Sequence, residues 1–115
     1  MPSDCDAMVS PHQECILRCQ VAAEACKDFI GACRFTAGKE ECVARCYVCA
    51  QVCDRCILQL MADSTSACVS CAVSCARAAE ECATCSMEPC TRCVDACLAC
   101  EEACLAISRG AGFLF

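Results

Sequence analysis

Between residues 90 and 104 the chain reads CTRCVDACLACEEAC, with cysteine at positions 90, 93, 97, 100 and 104. Steps that alternate between three and four place all five side chains on one face of an α-helix, whereas a β-strand would divide them between two faces. The spacing therefore selects a helix with a sulfur edge. The same rhythm runs through Cys42, Cys46, Cys49, Cys53 and Cys56, and again through Cys68, Cys71, Cys75, Cys82 and Cys85, with Ala78 at the skipped step. It is sparsest in Cys15, Cys19, Cys26 and Cys33, where Ala22 and Phe29 take the intervening places. The opposite faces carry Arg18, Glu24, Lys27, Arg45, Asp54, Arg77, Glu80, Arg92, Asp95 and Glu101. Each segment thus reads as an amphipathic helix whose inward stripe is cysteine where Leu and Ile are usual.

Start and stop signals predict helices over about 10–35, 39–61, 64–85 and 88–108. Ser10, Pro11 and Gln13 form an N-terminal cap with a capping box, and Ala37 with Gly38 ends the first segment. The polar run Asp63 to Ser66 opens the third, Glu88 and Pro89 open the fourth, and Gly110 is expected to lie beyond its end. Short connections make sequential helices antiparallel neighbours, so the expected fold is all-α: one domain over residues 1–115, an up-down-up-down four-helix bundle with a cysteine-lined core.

Cysteine makes up 20 of the 115 residues, a density usual in secreted disulfide scaffolds. The chain has only 4 Gly and 3 Pro for the turns of such a fold, while Ala is as abundant as Cys, which favours helices instead. The stretch MPSDCDAMVSPHQEC shows no basic leader followed by an apolar run, so a reducing cytoplasm is the expected location. No run approaches the roughly 18 apolar residues of a membrane span, so no membrane partner is expected. A net charge of −6, with the Lys and Arg scattered, argues against nucleic acid.

So many small thiols at seam positions underpack a core that Leu would fill, and idle thiols invite oxidation. The stripes therefore call for soft-metal chemistry. Thiols three or four residues apart on a helix have Cβ atoms about 5–6 Å from each other, close enough for one ion to join two sulfurs. Thiolates suit Cu(I), Zn(II) and iron–sulfur clusters, and charge separates these. A four-thiolate zinc site carries about −2, and several in a core without buried Lys or Arg are costly. Cu(I) with bridging thiolates approaches one ion per sulfur and leaves the core neutral, which gives an expected load of about 15–20 Cu(I) per chain. The only histidine is His12. CxxC pairs such as Cys46/Cys49 lack the βαβ setting of redox motifs. No CxxCxxCxxxCP run is present to suggest iron–sulfur ligation. Zinc or iron–sulfur binding, as a metallothionein-like buffer or an electron carrier, is the alternative, and a purely structural disulfide protein is a third reading.

The runs CILRC, ECVARCYVCAQVCDRC, CVSCAVSCARAAEEC and CTRCVDACLACEEAC together resemble the cytosolic branch of the bacterial four-helix-bundle copper storage proteins, from about Cys15 to Cys104. The resemblance implies a non-enzymatic store of many Cu(I) ions, bound mostly by cysteine pairs, and commonly a tetramer of bundles. Members often have histidines near the turn between the third and fourth helices; this chain has CATCSMEPC there.

Antiparallel threading gives the bundle two unlike ends. Leu60, Met61 and Ile107, with Phe113, Leu114 and Phe115, are expected to plug the end that holds the termini. At the other end sulfur continues to the rim in Cys33, Cys42, Cys85 and Cys90, beside Met87, whose thioether is suited to pass Cu(I) inward from a copper chaperone. His12 and Cys5 are the remaining candidates for auxiliary ligands.

Overall fold

The computed structural model describes residues 10–85 and 87–113, so Cys5, Met8, Leu114 and Phe115 lie outside the described residues. Four helices follow in order: α1 (Pro11–Cys33), α2 (Glu40–Met61), α3 (Cys68–Cys82) and α4 (Glu88–Phe113). There is no strand among the described residues. Each helix packs on its neighbours in sequence, and α4 closes the ring on α1. The antiparallel sense is visible in the sulfur pairs: Cys15 meets Cys104 while Cys26 meets Cys93, and Cys56 meets Cys68 while Cys46 meets Cys82. The fold is the expected four-helix bundle.

The start of α1 has the capping box that the sequence predicts. Ser10 is extended (φ −74°, ψ 158°), its Oγ accepts the Gln13 N–H at 3.1 Å, and Gln13 Oε1 accepts the Ser10 N–H at 3.0 Å. Two donors that the first turn would leave unpaired are satisfied in this way.

Other helix limits differ from expectation, for local reasons. α1 stops at Cys33 instead of 35, and Phe35 stands 93 % exposed in a turn that Gly38 closes at φ +86°, a conformation open to glycine. α3 begins at Cys68 instead of 64 because the polar run before it bonds elsewhere. Asp63 takes a left-handed φ of 62°, the Ser64 N–H donates to the Gln59 carbonyl at 2.8 Å, and Ser66 Oγ donates to Gln59 Oε1 at 3.2 Å. These short polar side chains favour such turns over helix. α3 also ends at Cys82, which leaves Cys85 in the turn and off the helix. α4 runs on to Phe113, through glycines expected to lie outside it; a glycine costs a helix about 1 kcal/mol and does not end it unless the backbone turns left-handed.

The core consists almost wholly of cysteine and alanine. Ala22, Ala23, Ala50, Ala72, Ala78 and Ala79 are buried beside the sulfurs, and no charged or polar residue among those described is buried. Among the described residues, Phe29 is the one large side chain at 0 % exposure. Three exposed ion pairs run along single helices (Glu14–Arg18, Glu41–Arg45 and Glu88–Arg92), and two join neighbours (Lys27–Asp54 and Asp28–Arg92). Pairs this exposed contribute little to stability.

Candidate metal centre

Helical spacing delivers the sulfurs to the bundle axis. Cys15, Cys19, Cys26 and Cys33 come from α1; Cys42, Cys46, Cys49, Cys53 and Cys56 from α2; Cys68, Cys71, Cys75 and Cys82 from α3; and Cys90, Cys93, Cys97, Cys100 and Cys104 from α4. All are buried, nearly all completely. Cys85 is only partly covered, and every described cysteine is a free thiol.

The thiols form a continuous net. Near the turn between α2 and α3, Cys15 and Cys104 lie 3.5 Å apart, and Cys56 and Cys68 lie 4.0 Å apart. Further in, Cys19 reaches Cys71 at 3.8 Å across the diagonal between α1 and α3. Cys49 reaches Cys97 at 3.8 Å, and Cys46 reaches Cys93 at 3.5 Å, across the diagonal between α2 and α4. Diagonal contact is possible because the side chains are short and alanines let the helices close up. A Leu-filled core would hold opposite helices further apart.

Alanine and phenylalanine also set how many sulfurs gather at each level. Four-sulfur groups with all Sγ atoms within 4.8 Å occur as Cys15/Cys56/Cys68/Cys104, Cys19/Cys56/Cys71/Cys104 and Cys53/Cys71/Cys75/Cys100. Toward the other end the groups shrink to Cys26/Cys49/Cys97 and Cys26/Cys46/Cys93, with no member from α3. Ala78 occupies the α3 position at that level, and Phe29 fills the next α1 position.

Burial raises the thiols near the bundle ends: Cys68 and Cys42 lie above the ordinary thiol range, and Cys90 is pushed up to about 12. Cys85 moves the other way. A hydrogen bond from the Cys90 thiol, the Met87 N–H at 3.4 Å and the Lys39 ammonium all favour its thiolate. Cys85 is thus the one described cysteine that combines exposure with a lowered pKa, the pairing that makes a thiol reactive.

The expected end cover is partly corrected. Leu60 and Ile107 are buried over the sulfurs, but Met61 is 70 % exposed and covers nothing. Met87 is 42 % exposed beside Cys85. His12 sits half-buried in the first turn of α1, three residues before Cys15. Met61 is the last residue of α2, where periodicity no longer separates a covering side chain from an exposed one.

A ring of four helices whose core, among the described residues, holds free thiols and no buried charge defines a class of protein: a bundle whose interior offers clustered sulfurs that could hold metal ions. The model of the copper storage protein family (Csp) matches residues 8–109, and the chain belongs to that family. No curated protein and no solved structure matches it. Membership and the clustered thiols together support a role in copper storage. No described helix is long and apolar enough to cross a membrane.

Proposed function

We propose that the protein stores copper as Cu(I), held by the thiolates of Cys15, Cys19, Cys26, Cys33, Cys42, Cys46, Cys49, Cys53, Cys56, Cys68, Cys71, Cys75, Cys82, Cys85, Cys90, Cys93, Cys97, Cys100 and Cys104. One observation carries this reading: a continuous net of buried thiols with no buried charged group beside it. Each Cu(I) that enters displaces one thiol proton, RSH + Cu⁺ → RS–Cu + H⁺, so the charge of the core does not change. Further coordination comes from neighbouring sulfurs at 3.5–4.0 Å, which bridge from one copper to the next. Loading can thus continue to about one copper per sulfur, some 15–20 ions, without the desolvation cost of an accumulating charge. Discrete zinc sites would place about −2 at each of several neighbouring positions, and a chain of them is disfavoured on that ground.

Copper enters at the sulfur-rimmed end. Cys85, whose thiolate is favoured and partly exposed, takes the ion from a copper chaperone with help from the Met87 thioether, then passes it to Cys90 and Cys42. Met87→Leu is accordingly expected to slow loading several-fold at unchanged capacity, as stopped-flow transfer from a Cu(I) complex would show; an unchanged rate would exclude this mouth. The setting is reducing and cytoplasmic, because thiols this close would pair as disulfides under oxidising conditions. The bundles assemble into a homotetramer through exposed apolar residues such as Leu17, Val21 and Leu98.

X-ray absorption at the copper edge of the loaded protein tests the ligation. An edge typical of Cu(I), with an all-sulfur first shell and copper–copper scattering, is expected. A Cu(II) edge, or a shell of nitrogen and oxygen, would overturn the reading.

A further inference from the structure

Four of the core thiols stand close enough together for one ion to reach all of them. Cys53 lies 3.7 Å from Cys71 and 3.8 Å from Cys75, and Cys71 lies 3.8 Å from Cys100. A tetrahedral ion with bonds of about 2.3 Å to sulfur sets sulfur–sulfur edges of about 3.8 Å. None of the six mutual distances exceeds 4.8 Å. A flat square of that edge would have diagonals of about 5.4 Å, so the four corners are not coplanar in that way.

Two further thiols flank this group. Cys19 lies 3.8 Å from Cys71 and 3.6 Å from Cys100, and Cys49 lies 3.9 Å from Cys53 and 3.6 Å from Cys75. Every corner sulfur therefore has an S–H group at hydrogen-bonding distance outside the cage. The group Cys15/Cys56/Cys68/Cys104 has edges of 3.5 and 4.0 Å, and the remaining groups have only three sulfurs or share corners with these.

We propose that Cys53, Cys71, Cys75 and Cys100 form a site for one divalent, tetrahedral ion of the zinc class, occupied when copper is absent. Binding is M²⁺ + 4 RSH → [M(SR)₄]²⁻ + 4 H⁺. The buried charge of −2 is the feature that disfavours a row of such sites. Here it arises once, and the Cys19 and Cys49 thiols donate to it from opposite sides. Incoming Cu(I) removes it: [M(SR)₄]²⁻ + 4 Cu⁺ → 4 RS–Cu + M²⁺, in which every thiolate is neutralised and the divalent ion leaves. The copper-free protein is thus a one-metal bundle that exchanges its ion for a full copper load.

Anaerobic titration of the reduced, copper-free protein with Co(II) tests this, since tetrahedral thiolate ligation gives cobalt intense absorption at the red end of the visible spectrum together with near-ultraviolet charge transfer. The expected result is saturation at one equivalent, displacement by Zn(II), and complete loss of the bands on addition of Cu(I). Cys75→Ser, which puts oxygen at one corner, should shift the bands and weaken binding at least tenfold. Cys68→Ser and Cys90→Ser lie outside the site and should leave the bands unchanged. Weak six-coordinate spectra, saturation at two or more equivalents, or sensitivity to Cys68→Ser but not to Cys75→Ser would overturn the proposal. Cu(I) loading of the same preparations is measured separately, so failure here leaves the copper reading standing.

Discussion

Cys85 and Phe29 show how single residues set the behaviour of the sulfur net. Cys85 left its helix when α3 ended at Cys82, and in the turn it gained a partly exposed thiol whose deprotonation is favoured by the Cys90 thiol, the Met87 N–H and Lys39. Its thiolate forms below the ordinary thiol range and is lost as pH falls. Brief alkylation of the copper-free protein should therefore modify Cys85 before any buried cysteine, with a rate that rises with pH; peptide mass mapping that shows uniform labelling would contradict this. Phe29 is the opposite case, a side chain of no use to copper and fully buried in the core. Phe29→Ala leaves a cavity among small neighbours with little to fill it, and should cost the copper-free protein about 3–5 kcal/mol in urea unfolding.

Individual helices owe their form to the outer face and the caps, because the inner face is nearly all sulfur and alanine. α1 starts with a satisfied capping box, and α1, α2 and α4 each carry an exposed i,i+4 ion pair. Abundant Ala adds helix propensity that does not depend on metal. The reduced, copper-free protein is accordingly expected to give a strongly helical circular dichroism spectrum; a random-coil spectrum would mean that metal drives folding, as it does in zinc fingers. Such helices are also why so much was legible in the sequence. The period-three-and-four cysteines identified which face is buried in all four helices, and Ser10 with Gln13 located the start of α1. The start of α3 was not legible: Ser64 and Ser66 look like caps, yet they bond back to Gln59 in the last turn of α2, a contact that depends on the reversal at Asp63. Diagonal sulfur contacts such as Cys46–Cys93 were equally hidden, since periodicity fixes a face but not the distance across the bundle.

At the scale of the molecule, a core with no fixed charge and many near-equivalent thiols is expected to behave toward Cu(I) as a reservoir rather than as a set of separate sites. Removing one interior cysteine should lower capacity slightly, since its neighbours share the same ions. Each copper releases about one proton, so apparent affinity should weaken as pH falls. Anaerobic titration of the reduced protein with Cu(I), against a chelator that competes for the ion and with the copper-to-chain ratio read at saturation, decides whether the whole net is used. The expected ratio is about 15–20 with tight binding throughout, near one copper per core sulfur. Saturation at four or five would mean discrete four-cysteine sites and would contradict the account of a continuous, charge-neutral copper store.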